Sequence, residues 1–181
     1  MVNILICDPH NKKNIYNVTN LSQLRKKEFF KTPNLKNKKN DIAAIIYSSG
    51  STGRSKGIVI PHINLVKGAK IVSKYLNTTY NDRIAGVLSL NFDYGLNQLW
   101  QSLLLGCSIF FHEFVFSKDL LNFINKNKIT AIPLMPTIIS MLFDGIPSVE
   151  KIKKIKNIKY ICTSGGHVSL NMINKLKLIF V

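Results

Sequence analysis

One short segment combines the residue types that bind phosphate. Between Tyr47 and Gly57 the chain has three glycines, several hydroxyl side chains and one lysine, with apolar runs on both sides. Glycines allow successive backbone N–H groups to turn toward one point, and hydroxyls add neutral donors. Lys56 adds a mobile positive charge for a phosphate oxygen. The pattern indicates a cradle for a nucleoside triphosphate, and a flexible Gly/Ser-rich hairpin tip is the alternative.

The spacing of this segment differs from that of the common phosphate loop. That loop has the form Gly-x-x-x-x-Gly-Lys, whereas counting from Gly50 places Ser55 at the second glycine position. The residues from Ile58 to Ile60 are β-branched and apolar, which predicts a strand after the segment instead of a helix. We therefore expect the segment to join two strands, Asp41 to Ser48 and Ile58 to Pro61.

With both flanks included, the block from Asp41 to Leu65 resembles the signature of the adenylate-forming ligases. This superfamily contains acyl-CoA synthetases, luciferases and the adenylation domains of peptide synthetases. Its signature, Tyr-Thr-Ser-Gly-(Ser/Thr)-Thr-Gly-x-Pro-Lys-Gly followed by His-x-Asn, differs here at Ser48, which replaces Thr, and at Ser55, which replaces Pro. Ser48 keeps a hydroxyl. Ser55, unlike proline, leaves the backbone angle φ unrestricted, so we expect a loop that is less ordered before ATP binds than one with proline.

The resemblance implies ATP-dependent, AMP-forming activation of a carboxylic acid, in which an acyl adenylate forms and the acyl group then passes to a thiol. It implies ATP and Mg as cofactors, and coenzyme A or the phosphopantetheine arm of a carrier protein as the thiol acceptor. Two residues, Lys56 and Thr52, take the catalytic role of stabilising charge on the leaving pyrophosphate. The residues implied to bind ATP in this segment are Ser48, Ser49, Gly50, Ser51, Thr52, Gly53, Lys56 and Gly57.

Two alternatives to this function stay open. The chain could be a fragment of an amino-acid adenylation domain from a peptide synthetase, or a nonenzymatic module that binds ATP or another anion. The sequence shows no spacing of His, Cys, Asp and Glu that is typical of metal ligands, so we assign no metal-binding residue.

A second candidate segment follows a predicted strand and opens a predicted helix, where open α/β sheets place ligand-contacting groups. The resemblance assigns Phe92, Asp93, Tyr94 and Gly95 to the substrate pocket. Phe92-Asp93 is similar to the Phe-Asp pair of amino-acid-activating members, in which the Asp pairs with the α-ammonium group. Alternatively, Asp93 is only the N-cap of the helix that follows. The segment is also similar to acyl-CoA ligase-like members, in which Tyr94 would shape the pocket.

A third segment, Thr163 to His167, follows the last predicted strand. It resembles the Gly-Gly turn that lies against the adenine and the acyl end of the adenylate in the family. Glycine suits this place because a side chain would block the approach of a flat ring to the backbone. The resemblance therefore assigns Gly165, Gly166 and His167 to ATP and Ser164 to the substrate pocket.

Strands and helices alternate from residue 41 onward. This pattern predicts an α/β fold with a largely parallel, helix-covered sheet, as a partial N-terminal domain of an adenylate-forming ligase. We expect Asn64, Ser117 and Ser169 to cap helices, Pro136 to start a helix and Gly106 to end one.

A boundary is predicted at residues 31–40, which combine Pro33 with a Lys/Asn run and have almost no apolar periodicity. We assign residues 1–40 to an N-terminal segment with a linker and 41–181 to a partial AMP-binding domain. The family's later segments, which help to hold Mg and the ribose, have no counterpart in this sequence. We therefore expect a fragment that does not form an acyl adenylate alone and whose partner is the remainder of the ligase.

Composition limits the class of protein. The chain has 181 residues, 46% of them hydrophobic, which is enough for one sizeable core. Its net charge of +16 would suit nucleic acid, but the basic residues are scattered and lack interleaved aromatics, so we do not expect a nucleic-acid partner. The longest apolar stretch, Leu103 to Phe111, is too short to cross a membrane. Cys7, Cys107 and Cys162 lack disulfide or zinc spacing, so we expect buried thiols and a cytoplasmic location.

Overall fold

The computed structural model describes residues 4–7, 15–18, 38–48, 56–146 and 154–180. The chain divides into two compact units, Met1–Asn37 and Lys38–Val181. In the first unit, β1 (Ile4–Cys7) and β2 (Ile15–Val18) form an antiparallel pair in which Ile4 lies opposite Val18. Residues 31–37, most of the predicted linker, lie outside the described residues.

The second unit begins with an antiparallel pair of strands, β3 (Ile42–Ser48) and β4 (Lys56–Pro61). β3 contains three isoleucines, and β4 contains two isoleucines and a valine; such β-branched residues suit an extended backbone. Ser48 lies opposite Lys56 at the end of the ladder that residues 49–55 connect, and an irregularity between Ile42 and Ala44 shifts the register at the other end. The prediction that the Gly/Ser-rich segment joins two strands is therefore confirmed, although residues 49–55 are not among those described.

A parallel four-stranded sheet forms the centre of the second unit, with the strand order β6-β5-β7-β8. The chain moves from β5 to β6 on one side and then crosses to β7 on the other side, so β5 and β7 flank a topological switch point. Open α/β sheets bind ligands near such a point. The strands are β5 (Arg83–Gly86), β6 (Ser108–Phe111), β7 (Ala131–Leu134) and β8 (Tyr160–Thr163).

Helices cover both faces of this sheet, which confirms the predicted fold class. Because successive strand residues point to opposite faces, Ile84 packs with Leu105 in one apolar cluster while Ala85 packs with Leu120 and Ile139 in the other. The helices are α1 (His62–Tyr75), α2 (Asp93–Leu105), α3 (Ser117–Lys126), α4 (Pro136–Asp144) and α5 (Leu170–Ile179). No described helix is long and apolar enough to span a bilayer.

Three of the predicted helix ends are confirmed. Gly106 ends α2 in the left-handed conformation, with φ of 72°, and Pro136 is in the first turn of α4. The Ser169 hydroxyl accepts a hydrogen bond from the backbone N–H of Met172 at 3.3 Å, so it caps α5.

The predictions for Asn64 and Ser117 are wrong. Helix α1 begins directly after Pro61, where the backbone N–H of His62 donates to the Asp41 carbonyl, so the preceding chain satisfies its first turn. At α3 the N-cap position belongs to Phe116, and the buried Ser117 hydroxyl instead donates to the Met141 carbonyl at 3.2 Å. The Ser117 hydroxyl therefore makes a tertiary contact instead of capping the helix.

A buried carboxylate joins the amino ends of three strands. Asp82, just before β5, accepts hydrogen bonds from the Thr79 backbone N–H at 2.6 Å and from the Thr130 hydroxyl at 2.9 Å. Lys159, just before β8, donates to the same carboxylate at 3.0 Å and also to the Asn77 carbonyl. Burial alone raises the pKa of Asp82, but these hydrogen bonds outweigh it and lower the pKa below its ordinary value.

Candidate functional site

A cavity of about 360 Å³ lies along the sheet face that α2 covers. Its walls come from the end of α1, from one side of α2, from β5 and β7, and from β8 with the residue after it. The cavity therefore joins two segments that the sequence analysis selected separately. Asp93 and Tyr94 at the start of α2 line it, and so does Ser164 after β8.

The position of α2 depends on Gly95. A Cβ atom on Gly95 would lie 2.2 Å from the backbone oxygen of Ser89, far inside any real contact distance. The first turn of α2 therefore packs directly on the backbone that leaves β5, and only glycine permits this approach. This packing holds Asp93 and Tyr94 at the cavity.

Asp93 is not the N-cap residue of α2. Phe92 occupies the N-cap position, and Asp93 is the first helical residue, whose carboxylate accepts the backbone N–H of Tyr94 at 2.8 Å. The Asp93 side chain is exposed and lies at the cavity, next to the positive end of the helix dipole. Phe92, which the sequence analysis assigned to the pocket, is 63% exposed and is not part of the cavity wall.

Three phenols lie in the cavity wall, those of Tyr75, Tyr94 and Tyr160. The Tyr94 hydroxyl donates a hydrogen bond to Sγ of Cys162 at 3.3 Å, and the Tyr160 hydroxyl shares one with the Thr78 hydroxyl at 2.8 Å. Burial raises the pKa of Tyr94 and of Cys162, and it raises the pKa of Tyr160 to about 12. These groups are therefore uncharged near neutral pH, and Asp93 is the one charged side chain among the described residues that line the cavity.

Carboxamides from α2 form another part of the wall, and sequence reasoning missed them. Asn97, Gln98 and Gln101 all line the cavity, and Gln98 and Gln101 are only 4% and 3% exposed. Gln101 donates from Nε2 to Oδ1 of Asn97 at 2.8 Å. One signal could have found two of them, because Asn97 and Gln101 follow Asp93 at intervals of one helical turn and must share its face.

The turn after β8 needs glycine at one position. Gly165 has φ of 86°, in the left-handed region that other residues rarely adopt. A Cβ atom on Gly166 would lie 3.4 Å from Cγ of Pro136, at the start of α4. Gly165, Gly166 and His167 are all exposed, so this turn presents backbone to solvent beside Ser164.

The structure describes only part of the predicted phosphate cradle. Lys56 is exposed and pairs through its backbone with Ser48, which places its charge at the end of the hairpin ladder. A Cβ atom on Gly57 would lie 3.1 Å from a side-chain atom of Ile45. Five further residues of the predicted cradle lie outside the described part of the chain: Ser49, Gly50, Ser51, Thr52 and Gly53.

No group of three or more His, Cys, Asp or Glu side chains comes together among the described residues. This part of the chain therefore offers no cluster of protein ligands for a divalent cation.

The fold is an α/β domain with a cavity along its sheet, and the comparisons with known proteins show its family. The chain belongs to the AMP-binding enzyme family, which it matches over residues 3–181. It is 31% identical over 147 residues to gramicidin S synthase 1 of Brevibacillus brevis, covering 77% of this chain and 12% of that protein. It is 32% identical over 129 residues to 4-coumarate–CoA ligase-like 6 of Arabidopsis thaliana, covering 67% of this chain and 23% of that protein.

The fold is also similar to solved structures. The complex of O-succinylbenzoate coenzyme A synthetase from Bacillus subtilis with ATP and magnesium ion has a TM-score of 0.67 and 25% identity to this chain. The similarity covers 78% of this chain and 29% of that one. The chain thus spans a minor part of the length of each of these relatives.

Proposed function

We propose that this chain takes part in the AMP-forming activation of a carboxylic acid, with ATP as the second substrate. The cavity is the observation that best supports this function, because it joins Asp93 and Tyr94 to Ser164 beside a glycine turn. Membership of the AMP-binding enzyme family and the likeness to a synthetase solved with ATP support the same function.

We assign the phosphates of ATP to the segment between β3 and β4. Its residues are Ser48, Ser49, Gly50, Ser51, Thr52, Gly53, Lys56 and Gly57. The exposed side chain of Lys56 at the end of the hairpin supports this assignment, since a mobile ammonium group can follow a phosphate oxygen. Lys56 and Thr52 then act on the pyrophosphate as it leaves, because donors aimed at developing charge lower the barrier more than donors aimed at the bound substrate.

We assign the adenine to the backbone of Gly165 and Gly166, with His167 beside it. The absence of side chains at these two exposed positions leaves space for a flat ring. The acid then lies in the cavity against Asp93 and Tyr94, with Ser164 near its carboxyl end, and Gly95 lets the first turn of α2 pack on the backbone of Ser89. In the reaction, a carboxylate oxygen bonds to the α-phosphorus while the bond from that phosphorus to the pyrophosphate oxygen breaks.

A thiol completes the proposed function. We propose coenzyme A or the phosphopantetheine arm of a carrier protein as the acceptor of the activated acyl group. Magnesium would neutralise phosphate charge when bound, but we assign it no ligand from the described residues. Reduced thiols at Cys107 and Cys162 are consistent with a cytoplasmic location.

Calorimetry on the full chain tests the binding half of this function. We expect ATP to bind more tightly than inorganic tripolyphosphate and a fitting acid to strengthen ATP binding. Equal affinity for ATP and tripolyphosphate, with no effect of any acid, would instead identify a nonenzymatic anion-binding module. Acid-dependent exchange of labelled pyrophosphate into ATP tests the chemical step, and we expect this exchange only when the remainder of the ligase is present with the chain.

A further inference from the structure

The Gln98 side chain lacks hydrogen-bond partners although it is buried. Its exposure is 4%, and neither Nε2 nor Oε1 has a partner among the residues that the structure describes. Gln98 lines the cavity between α2 and the sheet. A buried amide without partners destabilises a folded chain, and a ligand that supplies partners removes this penalty when it binds.

The surrounding walls do not supply those partners. Val72, Leu76 and Ile84 present apolar side chains to the cavity, and Pro133 has no backbone N–H to donate. Gln101 is already paired through Nε2 with Asn97, which leaves its own Oε1 buried and without a described partner. Among the buried side-chain atoms of the wall, Nε2 of Gln98 and the Oε1 atoms of Gln98 and Gln101 therefore have no partner in the described part of the chain.

The charge of the cavity limits the group that can pair with these atoms. Asp93 is the one charged side chain among the described residues of the wall, and it lies at the exposed start of α2. A carboxylate or ammonium group beside Gln98 would be buried without a counter-charge, which is costly. An apolar group there would leave the amide unpaired. A neutral group that both donates and accepts hydrogen bonds meets both conditions.

We propose that Gln98 determines the specificity of the cavity by selecting a carboxylic acid whose far end is a neutral donor-and-acceptor group, with a primary carboxamide as the best fit. This inference rests on the proposed function and names its substrate class. Gln98 binds the substrate in this proposal and takes no part in bond making or breaking.

Two acids of the same shape provide the test. Succinamic acid ends in a carboxamide, and isocaproic acid has an isopropyl group in the same place. By calorimetry on the full chain with ATP present, we expect succinamic acid to bind about tenfold to a hundredfold more tightly. We expect Gln98→Leu to reverse this preference while the melting temperature stays level or rises, because an unpaired amide is replaced by an apolar group of similar volume.

The control is Asn125→Leu, which makes a comparable amide-to-isobutyl change on the exposed side of α3 and should alter neither affinity. If Gln98→Leu does not fold, Gln98→Met replaces it, and the comparison of the two acids on the unaltered chain needs no variant. Equal binding of the two acids, or an equal loss of both in Gln98→Leu, would overturn the inference and leave the proposed function standing. Failure of ATP and both acids to bind would overturn both.

Discussion

The hydroxyl of Tyr94 donates a hydrogen bond to the sulfur of Cys162, 3.3 Å away. Tyr94 belongs to the first turn of α2 and Cys162 to β8, so this bond joins two of the elements that line the cavity. The sequence analysis treated Tyr94 as a pocket residue and Cys162 as a buried thiol, whereas the structure leaves Cys162 only partly buried. In the structure both residues line the cavity, so chemical modification of the Cys162 thiol can probe the cavity.

We expect alkylation of Cys162 by iodoacetamide to be slow near neutral pH and to accelerate only above the usual thiol pKa of about 8.5. Burial raises the pKa of Cys162, while the Tyr94 hydrogen bond lowers it by a smaller amount. Tyr94→Phe removes this hydrogen bond, so the pH at which the reaction accelerates should rise further. A bound acid should protect the thiol. Mass spectrometry of the peptide containing Cys162 measures the rate, with Cys162→Ser as the control, and rapid labelling that no acid slows would contradict the prediction.

Lys56→Ala should weaken the binding of ATP far more than that of AMP, because the lysine is proposed to contact the β- and γ-phosphates. A charge-assisted hydrogen bond contributes about 1.5–3 kcal/mol, which corresponds to about tenfold to a hundredfold in affinity. Calorimetry with both nucleotides measures this difference. The matched control is Lys126→Ala, which removes the same charge from an exposed side chain of α3. Equal losses for ATP and AMP would reject the assignment.

Asp93→Asn should weaken the binding of L-asparagine about tenfold or more and leave succinamic acid almost unaffected, if the carboxylate pairs with an α-ammonium group. These two acids differ only in that group. Asparagine at position 93 keeps a side-chain oxygen for the backbone N–H of Tyr94, so the helix start should survive. Calorimetry measures both affinities. An equal effect on the two acids would favour an acid without an amino group as the substrate.

Gly95→Ala and Gly68→Ala should change stability in opposite directions, although both replace a glycine within a helix. The added methyl group at Gly95 would meet the backbone of Ser89 at 2.2 Å, whereas at Gly68 the nearest atom is Nδ2 of Asn97 at 3.5 Å. We expect Gly95→Ala to cost about 1–3 kcal/mol and Gly68→Ala to stabilise the chain by about 0.5–1 kcal/mol. Urea unfolding measures both changes. Similar effects of the two substitutions would mean that α2 does not pack on residue 89 as described.

Asp82→Asn should destabilise the chain by about 2 kcal/mol at neutral pH, because it removes a buried hydrogen-bond acceptor from Thr79, Thr130 and Lys159. The pKa of Asp82 in the folded chain lies below the ordinary 3.8. The stabilising effect of the carboxylate is therefore complete above that value and is lost as the pH falls through the folded pKa. The difference in the free energy of unfolding between the unaltered chain and the variant should therefore become smaller at acidic pH. Urea unfolding at a series of pH values measures this difference. Exposed Asp144→Asn should produce no such difference at any pH.

The sequence was sufficient for features that depend on local residue types. The β-branched runs around the Gly/Ser-rich segment predicted β3 and β4, and Gly106, Pro136 and Ser169 marked helix ends where the structure has them. A left-handed glycine, a proline in a first turn and a hydroxyl cap depend only on neighbours within about one helical turn. The alternation of strands and helices likewise predicted the parallel sheet, because neighbouring parallel strands are usually joined by a helical crossover.

Contacts between distant residues could not be predicted in this way. Serine is a favoured N-cap residue, yet the Ser117 hydroxyl donates to the Met141 carbonyl. Nothing near residue 117 in the sequence indicates that partner. The sequence analysis assigned no role to Gln98 or Gln101, but packing of α2 against the sheet buried them in a cavity wall. The sequence by itself predicted the family and the order of strands and helices correctly, and its assignment of segments to ATP and acid stays a prediction. Only the tertiary structure decided which polar groups are buried without partners, because burial depends on surfaces that the fold brings together from distant parts of the chain.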